Sequence, residues 1–181
     1  MQHIHPDIRF YTSLHCSCKA APLFTPPTLT RRLRFFKITF KVIFYHPTRH
    51  MARPDLCTTE EIRNLVDQFY GRIRADSVLG PIFNARIDDW PVHLDIMVRF
   101  WSSLLLGSGE YSGTPMPKHV ALPDLDASLF QRWLELFHAT TSELPNRDMA
   151  NQADELARRI ARSLWYGYQM HREPNRTPAE L

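Results

Sequence analysis

Between Thr58 and Gln169 apolar residues recur at three- and four-residue steps, and no stretch of useful length alternates apolar with polar. A chain patterned in this way buries itself by laying helix faces against one another. The capping-box sequence Thr58-Thr59-Glu60-Glu61, followed by Ile62, Leu65, Val66, Phe69, Tyr70 and Ile73, predicts a first helix ending near Ala75. A short helical piece follows at Leu79-Gly80-Pro81-Ile82-Phe83. Asp88-Asp89 then opens a second long helix with the stripe Trp90, His93, Met97, Phe100 and Leu104, which Gly107 and Gly109 close. A third helix is expected from about Asp126 to before Pro145, with Leu129, Phe130, Trp133, Leu136 and Phe137 on one side. A fourth runs from about Arg147 to Gln169 on Met149, Ala153, Leu156, Ala157, Ile160, Leu164 and Trp165. Without an Asn-Gly or Asp-Gly hairpin turn the expected class is all-α, and residues 173–178 read as a frayed tail.

Two histidines fit this pattern poorly. His93 places a polar ring on an apolar stripe, where it needs a partner. His119 falls in the stretch from Gly107 to Asp124, which holds three glycines and three prolines and leaves room for one helical turn around Met116 to Val120. A flat iron macrocycle requires one nitrogen ligand, apolar walls, and polar donors on the face where a diatomic ligand binds. His119 suits the ligand, Phe83, Phe100, Leu104 and Phe130 suit the walls, and Tyr70, His93 and Trp133 suit the polar face. The competing reading is a helical interaction domain without haem, in which the helices simply bury one another and both histidines are incidental. His138 and His171 have no comparable setting and read as surface residues.

Charge separates the chain into two parts. Residues 1–50 hold eight Lys or Arg and a single acid, Asp7, so the overall charge of +3 conceals an acidic remainder. That stretch also holds five of the fourteen prolines and lacks a sustained period, which predicts a basic extension, disordered or upstream of a physiological start at Met51. Cys16-Ser17-Cys18 is spaced too closely for a zinc site. Thr30-Arg31-Arg32 lacks the apolar run a leader requires, and no segment approaches the roughly 18 apolar residues of a membrane span. Cys57 is the one cysteine in residues 51–181, which suits a reducing cytoplasm, and neither a nucleic-acid nor a membrane partner is expected.

Several ordered segments carry a family resemblance: Phe69-Tyr70-Gly71-Arg72-Ile73-Arg74-Ala75-Asp76, Leu79-Gly80-Pro81-Ile82-Phe83, Trp90-Pro91-Val92-His93, Tyr111-Ser112-Gly113-Thr114-Pro115-Met116, Lys118-His119-Val120-Ala121-Leu122-Pro123 and Trp133-Leu134-Glu135-Leu136-Phe137. Over about residues 56–170 the chain resembles the group III truncated haemoglobins of bacteria, and the absence of any Gly-Gly pair agrees with that group. The resemblance implies a truncated globin-like two-over-two helical sandwich in residues 51–181, with haem b as cofactor. It further implies His119 as the proximal iron ligand, Phe83 packed on the haem, and Tyr70, His93 and Trp133 on the distal side. The expected function is binding of O2, NO or CO at a penta- or hexacoordinate iron, for carriage, storage or sensing, with His93 bonding the ligand, gating its entry or coordinating iron. The alternative is a haem enzyme for NO oxidation or peroxidase-like chemistry. That would draw electrons from an external reductase, since the chain has no flavin or nicotinamide fingerprint.

Overall fold

The computed structural model describes residues 52–181, and the expectations for the basic extension, the Cys16 and Cys18 pair and the start at Met51 lie outside the described residues. Helix α1 (Thr59–Ala75) begins on the expected capping box: Thr58 Oγ1 accepts from the Glu61 amide at 3.1 Å, and Glu61 Oε2 accepts from the Thr58 amide at 2.7 Å. Helix α2 (Leu79–Asn84) is the short piece, and α3 (Trp90–Leu105) starts where Asp89 Oδ1 accepts from the Val92 amide. A single helical turn, α4 (Met116–Val120), interrupts the Pro-rich connection. Helix α5 (Ala127–Ser142) starts on an Asp126 cap and α6 (Arg147–Arg172) on an Asn146 cap. The same Asn146 donates to Glu61 Oε1 and to the Leu56 carbonyl, both at 3.0 Å, so the starts of α1 and α6 are tied together.

Helix α1 packs on α3, and α5 on α6. The two pairs are stacked through α1 against α5 and α3 against α6, giving a two-over-two sandwich with no strand among the described residues. Its centre is aromatic. Phe137 stacks between Trp133 (5.3 Å) and Trp101 (5.0 Å), and Phe69 meets Trp133 and Phe137 edge-on, so one apolar cluster joins α1, α3 and α5. Helix α4 rests on α6, where the Met116 side chain fills the space beside Gly167.

The C-terminal segment corrects the expectation of a frayed tail. Helix α6 continues to Arg172, and the chain then folds back along it: the Gln169 amide accepts from Ala179 N at 2.8 Å and donates to Ala179 O at 3.0 Å. Tyr166 donates to Glu180 at 2.6 Å and Leu181 packs on the core, so backbone groups that water would otherwise satisfy are held by side chains of α6. Among the described residues no helix is long and apolar enough to cross a membrane.

Candidate functional site

Between the two helix pairs lies a cavity of about 440 Å³, within the range of small-molecule sites. Its walls come from α1 (Tyr70), α2 (Phe83), α3 (His93, Phe100), α4 (His119), α5 (Trp133) and α6 (Ile160, Leu164). Helix α3 explains why the sequence stripe is only half-buried. Two rows of side chains run along it: Val98, Ser102 and Leu105 are buried away from the cavity, the neighbouring row His93, Met97 and Phe100 forms cavity wall, and Trp101 is buried in the aromatic centre while also reaching the cavity. Leu104 belongs to that second row by spacing but lies beyond the cavity, packed on the core.

His119 approaches from the α4 turn. Its Nδ1 lies 2.9 Å from the Pro115 carbonyl oxygen, and because a carbonyl only accepts, Nδ1 carries the proton. Nε2 is therefore left with its lone pair, on a ring that lines the cavity. Burial pushes the ring's pKa below the usual histidine value, with the Pro115 hydrogen bond opposing it in part. Neutral imidazole with the remote nitrogen oriented through a backbone carbonyl is the form in which histidine ligates a metal. Among the described residues no group of three or more His, Cys, Asp or Glu side chains could hold a metal ion. One imidazole instead fits a metal that brings its remaining ligands with it.

Polar atoms gather around Tyr70. Burial raises the Tyr70 phenol well above its usual pKa, aided by nearby Tyr111, so it remains a neutral donor. Its ring meets His93 edge-on at 5.1 Å and Phe83 at 6.2 Å. His93 Nε2 is buried without a hydrogen-bond partner, and desolvation, followed by the Lys118 charge, lowers the pKa of the ring. Trp90 backs His93 at 5.8 Å and is itself covered by the Arg74 guanidinium at 4.8 Å. A polar atom orphaned on a cavity wall is a cost that a ligand in the cavity can relieve.

No family model matches this sequence. A curated protein of Campylobacter jejuni described as a group 3 truncated hemoglobin is 36% identical over 119 residues, covering 62% of this chain and 94% of the relative. The chain belongs to the group III truncated haemoglobins. A crystal structure of a group III truncated hemoglobin from Campylobacter jejuni superposes with a TM-score of 0.55 at 35% identity, over 60% of this chain and 89% of that one. This truncated globin thus gathers Tyr70, Phe83, His93, Phe100, His119 and Trp133 around one cavity. His138 and His171 are exposed, although the His138 Nδ1 pairs with Asp154 at 2.6 Å, a contact its spacing did not announce. Much of the apolar wall, including Trp101, Ile160 and Leu164, was not among the expected site residues, and two polar wall residues were also missed. Tyr111 and Lys118 both lie within segments that carry the family resemblance, and that membership was the signal available for them.

Proposed function

We propose that this truncated globin binds haem b between its helix pairs, with His119 Nε2 as the proximal ligand, and that it binds O2 and other diatomic ligands on the opposite side. The observation that carries this reading is the His119 tautomer: Nδ1 is committed to Pro115 O, which leaves a neutral Nε2 on the wall of an otherwise largely apolar cavity. If bound, haem would supply an iron able to take a diatomic ligand. The chain's own residues do the rest. Phe83 and Phe100, on the cavity wall, would pack on the macrocycle and exclude water. The Tyr70 hydroxyl and Trp133 indole N–H donate to the polar end of a distal ligand, each such bond contributing about 1–3 kcal/mol. His93 stands beside Tyr70 with a free ring nitrogen, positioned to bond the same ligand.

The test is spectroscopic. The protein reconstituted with haem should show a Soret band that shifts on reduction and again with CO, and His119→Ala should change that spectrum through loss of its imidazole ligand. An unaltered spectrum in that variant would remove His119 from the proximal role. Stopped-flow measurement of O2 dissociation, alongside NO consumption in the presence of O2 and a reductant, separates carriage from turnover: slow NO consumption is expected of a ligand-binding protein.

A further inference from the structure

Asp76 follows the last residue of α1, and its side chain is only 4% exposed. Its two oxygens have separate tasks. Oδ1 accepts from the amides of Val78 (3.0 Å) and Leu79 (2.8 Å), closing the corner into α2. Oδ2 accepts from Arg132 Nε (3.0 Å) and Nη2 (2.7 Å), across 56 positions of sequence. One carboxylate therefore joins the end of the helix that carries Tyr70, the start of the helix that carries Phe83, and the residue immediately before Trp133.

Capping α2 requires only one of those oxygens. The second is committed to a guanidinium whose side chain is 43% exposed, a setting in which an ion pair contributes little to stability. What a guanidinium fork does supply is orientation, because two donors at set geometry on one acceptor resist rotation. Successive helical residues stand about 100° apart around the axis, so holding Arg132 sets the rotation of α5 and with it the direction of the next side chain.

We propose that Asp76, acting through Arg132, is a positioning residue that aims the Trp133 indole N–H into the cavity opposite Tyr70, and so sets how firmly the distal side holds a polar diatomic ligand. This rests on the ligand-binding reading of the pocket given above. It assigns a functional consequence to two residues that do not line the cavity. Arg132 also donates to Glu135 Oε2 at 3.2 Å, which braces the guanidinium along its own helix.

The full chain carrying Arg132→Met keeps both amide contacts of Asp76 and removes the fork; Arg132→Lys keeps the charge without it. Three quantities are measured: O2 dissociation, the C–O stretch of the CO adduct, and the NMR resonance of the Trp133 indole N–H in haem-free protein, assigned by its loss in Trp133→Phe. Arg132→Met should shift the indole resonance and the C–O stretch and speed O2 release about two- to tenfold, the span of one ordinary hydrogen bond. Arg132→Lys should fall between it and wild type. In a Trp133→Phe background Arg132→Met should add nothing to the release rate. A silent Arg132→Met beside a fast Trp133→Phe, or an effect that persists undiminished in the double variant, overturns the proposal while leaving the pocket reading intact. A Trp133→Phe protein with wild-type release overturns the distal role of Trp133 itself, and the proposed consequence for the ligand with it. Should Arg132→Met not fold, Arg132→Lys with an unshifted indole resonance refutes the positioning role.

Discussion

At the scale of single residues, the distal and proximal sides differ in how they are held. Tyr70 sits in the core of α1, its ring packed edge-on against Phe69, Phe83, Trp90 and His93, so its orientation is a packing outcome. Removing its hydroxyl leaves that packing in place. Tyr70→Phe is expected to melt within about 0.5 kcal/mol of wild type while releasing O2 several-fold faster, an effect stopped-flow would register; an unaltered off-rate would detach Tyr70 from the ligand. Phe83 is only partly buried at the cavity wall. Its replacement by alanine should therefore cost about 1–2 kcal/mol in haem-free protein, below the span for a fully buried phenylalanine, and should accelerate haem transfer to an acceptor apoglobin. Both aromatic identities could be read from the chain, as could both histidines. The tautomer of His119 could not, because it depends on a carbonyl four residues away being presented by a helical turn.

Elements show the same division. The α1, α3, α5 and α6 starts were legible because each is signalled by a side chain within three residues of the amide it satisfies, Thr58, Asp89, Asp126 and Asn146. What periodicity could not resolve was which side chains on the apolar side of α3 line the cavity, since His93, Met97 and Phe100 do, Val98 and Leu105 do not, and Trp101 serves both the centre and the cavity. The α1–α2 corner offers a test of close approach. A Cβ at Gly80 would lie 2.8 Å from the Arg74 carbonyl oxygen and 3.3 Å from that of Ile73, both backbone atoms, whereas at Gly71 it would meet nothing within 4 Å. Gly80→Ala should destabilise by about 1–3 kcal/mol as the helices are forced apart. Gly71→Ala, within α1, should stabilise by about 0.5–1 kcal/mol. Urea denaturation of the two variants should give midpoints on opposite sides of wild type, and equal midpoints would contradict this reading of the corner.

For the molecule as a whole, the acid-sensitive carboxylates gather where helices begin. Glu61, Asp76 and Asp126 are each held below the usual carboxylate range: Glu61 by the Thr58 amide and Asn146, Asp76 by the Leu79 amide and Arg132, Asp126 by Ser128 and the Leu129 amide. A folded-state pKa below the unfolded one adds stability that is present above the ordinary value near 4 and is lost as pH falls through the depressed one. The neutral rings of His93 and His119, held below the ordinary histidine value near 6.5 chiefly by burial, add a separate loss that begins as pH falls through about 7. Haem-free protein should therefore lose urea midpoint gradually from about pH 7, and lose more below about pH 4 as the carboxylates protonate. Asp76→Asn should start from a lower midpoint and show a shallower acid limb; a limb as steep as wild type would exclude Asp76 as a contributor. The chain by itself determined the helices, their starts and several of the polar and aromatic side chains facing the cavity, Tyr70, Phe83, His93, Phe100, His119 and Trp133, because caps and periodicity act over a few residues. Only the tertiary structure decided the cavity wall on α3, the folded-back tail, the bond from His138 to Asp154 and the tie from Asp76 to Arg132. Those contacts join residues 10 to 56 positions apart or distinguish neighbouring faces of one helix, and neither spacing nor composition records which distant partner a side chain meets.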